Sequence, residues 1–237
     1  MAGPGRGNWG AKTQSHIPLE LNEMERKLVI GSLLGDGNLR ISARSINPTF
    51  NEKHSIAQEE YLLWKTEVLS RFDPRVFRYV GIRNGVGHSG IQMRTLSTPA
   101  FSELYQDFYG NGEKDVPQHI IDEIDPFILA IWLMDDGSCM NNKPNPRNRK
   151  PAFHISTMGF SLETNLLLQN KLQKILNSKK ISINTSARGG TGCYLLLGTE
   201  ATRNTAELCH EYWHPSMYYK LPYAETWYNT IIKAGEA

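Results

Sequence analysis

The sequence predicts an α+β protein in which one helix–strand–strand–helix–strand–strand–helix unit is written twice. Two apolar runs close in the same way: Leu28-Val-Ile-Gly-Ser-Leu-Leu-Gly-Asp36-Gly37 and Ile128-Leu-Ala-Ile-Trp-Leu-Met-Asp-Asp136-Gly137. Each is followed by the same succession of strand and helix signals. The two acids stand 100 positions apart in a chain of 237 residues, so each half carries one. A matched carboxylate at each of two matched helix ends points to paired chemistry on a nearly symmetric substrate.

In the first copy, Asn22-Glu-Met-Glu25 has the capping-box pattern and opens a helix to about Gly35. Strand runs follow near 38–42 and 47–53. Ser55-Ile-Ala-Gln58 reads as a second capping box, opening a helix to about Ser70 through Tyr61, Leu62, Leu63, Trp64, Val68 and Leu69. Strands at 76–83 and 91–95 flank the glycine-rich turn Asn84–Gly90, and Thr98-Pro99 starts a third helix with proline in its favoured first turn. In the second copy, Asp125-Pro126 opens a helix to Asp136, and strands near 138–142 and 152–157 flank a basic loop. Ser161 opens a helix to about Asn177, strands at 181–188 and 193–198 flank Gly189-Gly-Thr-Gly192, and a helix covers about 200–212. A last helix is expected over Tyr223 to Lys233. The first 20 residues read as a tail, 21–118 as the first half and 119–237 as the second.

Composition narrows the function. The longest uninterrupted apolar run, Phe127 to Met134, is far short of a membrane span, and the N-terminal residues have no apolar core of a secretory signal. Three widely spaced cysteines form neither a disulfide framework nor a zinc pattern and fit a reducing compartment, intracellular in an organelle or a prokaryotic cytoplasm. Net charge is only +2, but its distribution is uneven. The stretches 37–51, 74–102, 137–162 and 164–199 contain no acid and hold 15 of the 26 Lys and Arg residues. One basic surface of this kind suits a polyanion.

Strand alternation gives that surface a form. Gln92 and Arg94 share one side of their strand, and Ile91 and Met93 share the other. A sheet packed on helices through its apolar side presents long polar groups outward, where they suit base edges in a DNA major groove. Arg40, Arg44, Arg78, Arg83, Arg94, Arg147, Arg149 and Arg188 all fall in or beside the hairpins, joined by Lys143, Lys150 and His154.

Four local patterns now resemble the LAGLIDADG homing endonucleases in their single-chain, intron-encoded form. Leu33-Leu-Gly-Asp36-Gly37 resembles the first signature helix, and Leu129-Ala-Ile-Trp-Leu-Met-Asp-Asp136-Gly137 is similar to the second. Phe50-x-x-x-His54-Ser55-x-x-Gln58-x-Glu60-Tyr61-Leu62-x-Trp64-Lys65 resembles the segment after the first hairpin, and Tyr219-Lys220-Leu221-Pro222 the C-terminal lysine segment. The resemblance implies two αββαββα units packed along the signature helices, with curved antiparallel sheets forming a saddle on DNA. Gly31 and Gly35 lie on one helix face and permit close approach, whereas Ile131 and Trp132 make the partner helix bulky.

An aspartate at a helix C-terminus sits beside unpaired carbonyls and the negative end of the dipole, so it calls for a cation. Two such ends side by side suit a hard divalent cation, Mg²⁺, with Mn²⁺ or Ca²⁺ able to substitute for binding. Asp36 and Asp136 are the expected ligands, one per DNA strand. The resemblance adds the backbone carbonyls of Gly35 and Asp135, with the Asp135 side chain in a supporting place. It also puts one lysine in each site, Lys114 and Lys220, to orient water or offset phosphate charge. No histidine has a clear role on this reading. The expectation is a monomeric, Mg²⁺-dependent, site-specific endonuclease that cuts both strands of duplex DNA across the minor groove, leaving 3′ overhangs. The rival is an intron-splicing maturase on the same scaffold, with intron RNA as partner. A nuclease-dead regulator would be expected to lose one of the acids, and an acid protease would place its acids in strand turns.

Overall fold

The computed structural model describes residues 17–43, 45–83, 86–140, 150–185 and 192–223. Helix α1 (Glu23–Leu34) starts at Asn22, whose side chain accepts from the Glu25 amide while the Glu25 carboxylate accepts from the Asn22 amide, so the capping box forms. Strands β1 (Asn38–Arg40), β2 (Thr49–Ser55), β3 (Arg75–Arg83) and β4 (Val86–Arg94) make an antiparallel sheet in the order β1-β2-β4-β3. Helices α2 (Glu59–Val68) and α3 (Ser102–Tyr109) belong to the same half. The second half repeats the plan with α5 (Pro126–Asp136), β5 (Gly137–Met140), β6 (Ala152–Ser156), α6 (Leu162–Ile175), β7 (Ile181–Thr185), β8 (Cys193–Leu197) and α7 (Thr199–Cys209). Its sheet has the equivalent order β5-β6-β8-β7. The expected final helix over Tyr223 to Lys233 lies, but for Tyr223, outside the described residues.

Two local readings change. Ser55 does not cap a helix: it is still paired with Gly90 in the ladder, and a 3₁₀ turn, Ile56–Gln58, precedes α2. Strand pairing holds the Ser55 backbone extended, and no side-chain cap forms. A short helix α4 (Gln118–Glu123) lies between the halves and buries Ile120 and Ile121. Six residues are too few for a periodic pattern, and only Pro117 signalled it. The 118/119 division read from the sequence falls at the first residue of this helix.

Helices α1 and α5 cross at the centre of the core. Leu28, Val29, Ile30, Leu33, Ile128, Leu129, Ile131, Trp132 and Leu133 are fully buried. A Cβ on Gly31 would stand 2.6 Å from Ile131 Cβ, and one on Gly35 would overlap Asp135 Cβ. The close crossing is therefore one-sided: α1 supplies the glycines and α5 fills the space. Gly35 has φ −108°, so its need for glycine is contact with Asp135, not a left-handed cap.

Pairing register sorts each sheet into two faces. In the first sheet, Leu39, Phe50, Ile91 and Met93 point to the core. Asn38, Arg40, Thr49, Asn51, Lys53, Arg75, Phe77, Tyr79, Gln92 and Arg94 occupy the outer face. In the second, Phe153, Ile155, Ile181, Leu195 and Leu197 face inward.

Candidate active site

The helix crossing carries the two C-terminal ends to one place, and Asp36 and Asp136 with them. Asp136 closes α5 and Asp36 lies two residues beyond α1, its side chain 39% exposed. Burial, and after it the charge of Asp36, push the Asp136 carboxyl up to about 6. Asp36 is thus near enough to act on Asp136 through its charge.

Both sequence-selected lysines reach this place. Lys114 donates to the Gly37 carbonyl at 3.1 Å. Lys220 donates to the carbonyls of Met134 at 2.6 Å and Asp135 at 2.8 Å. Burial lowers the pKa of each, against the opposing pull of Asp36, Asp135 and Asp136. Lys220 thus covers the electronegative end of α5, and Lys114 holds the turn between α1 and β1, both beside the acids. The Asp135 carbonyl, one of the expected metal ligands, is engaged by Lys220.

Beneath the acids lies a buried ionic group that the sequence reading did not assemble. Lys65 Nζ donates to Asp135 Oδ1 and Oδ2 at 2.8 and 3.0 Å, to Ser32 Oγ at 2.9 Å, and to Glu52 Oε1. Tyr61 donates to Asp135 Oδ1 at 2.9 Å. His54 Nε2 meets Glu52 Oε1 at 2.8 Å, and its Nδ1 stands 3.6 Å from Asp36 Oδ2. Burial opposes the charge on Lys65 and His54, but the carboxylates outweigh it and hold both pKa values up. Burial likewise opposes ionisation of Glu52, yet Lys65 and His54 bring it down to about 2. His54, to which the sequence reading gave no clear role, stands in this group beside Asp36 and Glu52. The available signal was its place in the Phe50–Lys65 segment; only the fold shows that β2 and α2 turn Glu52, His54, Tyr61 and Lys65 inward toward the end of α5.

The donor set fits a hard cation. Atoms of Asp36, His54 and Asp135 lie within 4.8 Å of one another. The Asp135 carboxyl is paired with Lys65, although burial outweighs that pairing and raises it to about 7; Asp136, raised to about 6, stands outside this cluster of three.

The basic residues separate by face. Arg40, Gln92 and Arg94 stand on the outer face of the first sheet, and Asn51 Oδ1 accepts from Arg94 Nε at 2.7 Å. Arg78 does not join them. It falls out of phase with Arg94, on the helix-bearing side, and pairs with Glu59 at the start of α2 at 2.6 Å. The alternation of β3 sends 75, 77 and 79 one way and 76, 78 and 80 the other, so a basic residue of the hairpin is not automatically a groove residue. His154 lies on the outer face of the second sheet against Tyr194, ring centroids 4.3 Å apart. Lys150 is exposed before β6. Arg44, Lys143, Arg147, Arg149 and Arg188 lie outside the described residues, and Arg83 lies within β3 with its side chain outside the description.

Comparison with known proteins bears on the family and the fold. The family described as LAGLIDADG DNA endonuclease matches residues 26–204. A RecA protein of Mycolicibacterium flavescens is 29% identical over 220 residues, covering 90% of this chain and 49% of that protein. The chain thus spans about half the length of that relative. The cytochrome b mRNA maturase bI2 of Debaryomyces hansenii is 26% identical over 211 residues, covering 86% of this chain and 75% of that protein. The solved structure of the homing endonuclease I-WcaI, bound to its DNA recognition sequence, shares the fold with a TM-score of 0.81 and 21% identity, covering 92% of this chain and 95% of that one.

Proposed function

The chain belongs to the LAGLIDADG DNA endonuclease family, and from that premise we propose that it is a monomeric, site-specific homing endonuclease that hydrolyses one phosphodiester in each strand of a duplex. The observation that carries the reading is the meeting of Asp36 and Asp136 at the ends of two crossed helices, with Lys114 and Lys220 beside them.

On this reading Asp36 and Asp136 hold Mg²⁺, aided by the carbonyls of Gly35 and Asp135. When bound, the cation lowers the pKa of water and offsets phosphate charge. Lys114 and Lys220 set positive charge near the scissile phosphates, held there by the Gly37 carbonyl for Lys114 and by the Met134 and Asp135 carbonyls for Lys220. Lys65 and Tyr61 fix the Asp135 side chain and so the last turn of α5. Outer-face groups read base edges, and basic residues on the phosphates supply salt-dependent affinity. The two strands are cut across the minor groove, leaving 3′ overhangs. We place the first half at 21–118, after a tail of 20 residues, and the second at 119–237.

The test is cleavage-site selection on randomised duplex with and without Mg²⁺, followed by single variants on the selected site. Asp36→Asn and Asp136→Asn are each expected to abolish double-strand cleavage while DNA binding persists. Normal linearisation of target plasmid by either variant removes the metal assignment. Likeness to the bI2 maturase supports a second reading, assistance of intron splicing; a splicing assay with candidate intron RNA tests it.

A further inference from the structure

The two sheets present different chemistry on their outer faces. On the first, among the described residues, Arg40, Lys53, Arg75 and Arg94 bring four cations, with Asn38, Asn51 and Gln92 as neutral hydrogen-bonding groups, Phe77 and Tyr79 as rings, and no acid. Asn51 holds Arg94, so one guanidinium is already oriented. On the second, register puts Ser138, Met140, Ala152, His154, Ser156, Ser182, Asn184, Tyr194 and Leu196 outward. Among these described residues there is neither Lys nor Arg. Burial lowers the pKa of His154, which keeps that ring uncharged near neutral pH. The centre of the face is the His154–Tyr194 ring contact, and Leu196 is cross-strand neighbour to both His154 and Ser182. Lys150 and Lys180, both exposed, stand just before β6 and β7 and not in them, and Lys143, Arg147, Arg149 and Arg188 lie outside the described residues.

Base edges answer these chemistries differently. Guanine offers O6 and N7 to a bidentate arginine, whereas thymine offers a methyl group to apolar side chains. Resting on the endonuclease reading, we infer that the two half-sites are read by unlike chemistry: guanine-directed hydrogen bonding under the first sheet, and thymine-methyl contact under the second. The target would then be asymmetric in kind, with guanine fixed at inner positions of one half and A·T pairs preferred at the equivalent positions of the other.

Selection on randomised duplex with the full chain tests this, run in parallel for wild type, Arg94→Ala and Tyr194→Ala, each checked for a native thermal melt. The expected result is one half with fixed guanines and one with A·T preference. Arg94→Ala should lower discrimination about tenfold or more at a guanine position in the first half only, and Tyr194→Ala should relax the A·T half only. A site with guanines fixed at equivalent inner positions of both halves overturns the inference and leaves the endonuclease reading intact. So does an Arg94→Ala effect confined to the A·T half. A pool from which nothing is bound or cut removes the endonuclease reading and this inference with it.

Discussion

Replacing Lys65 with methionine leaves two buried carboxylates without their ammonium. The Lys65, Glu52 and Asp135 side chains have no solvent exposure, and Lys65 donates to both oxygens of Asp135 as well as to Glu52. Taking one member from such a group costs about 3–5 kcal/mol, because Asp135 stays desolvated without its cation and Glu52 keeps only His54. For a chain of this size each kcal/mol moves Tm by about 2–4 °C, so a fall of roughly 6–20 °C is expected. The loss has a definite pH sign. Burial already raises the Asp135 carboxyl to about 7 with Lys65 beside it, and Lys65 with His54 holds Glu52 down to about 2; without the lysine both folded-state values move up. A group raised in this way supports folding below its unfolded pKa and loses that support as pH rises through the folded one. The gap between variant and wild type should therefore be widest at neutral pH and shrink toward pH 4. Lys65→Met combined with Asp135→Asn should recover part of the loss, since one of the stranded charges is gone. Calorimetry between pH 4 and 8 measures all of this. A Tm within about 2 °C of wild type, or a gap that does not change with pH, would refute the buried ionic group as a determinant of stability.

Three further outcomes follow from the same geometry. Gly31→Val places a branched side chain against Ile131 and the Ile128 carbonyl, where even a Cβ stands at 2.6 and 3.0 Å; overpacking of this kind costs about 1–3 kcal/mol or more, read as a lower urea midpoint. Asp136, with its pKa raised to about 6, must give up its proton to bind a cation. Apparent Mg²⁺ affinity, measured by titration calorimetry, should hold above pH 7 and fall as pH drops through 6; an affinity unchanged down to pH 5 contradicts the assignment. Arg78→Ala breaks an exposed pair with Glu59 on the side away from Arg94, so base preference should be unchanged in a selection that Arg94→Ala alters.

Much of this molecule was legible in the order of its residues. The duplicated Asp-Gly helix ends, the caps at Asn22, Asp125 and Ser161, and the alternation around Gln92 and Arg94 are local patterns, each readable within a few positions. They determined the fold class and named Asp36 and Asp136 as a pair, and the family resemblance added Lys114 and Lys220. What the tertiary structure alone decided is of another kind. Whether Arg78 points to a groove or to Glu59 depends on strand phase against a helix nineteen residues earlier. The close crossing depends on pairs 100 residues apart, Gly31 against Ile131 and Gly35 against Asp135. His54 and Lys65 become neighbours of Asp36 and Asp135 only because β2 and α2 deliver them under the end of α5. Charges and cavities act through space over a few ångströms, and the chain brings to that distance residues that its own order holds far apart.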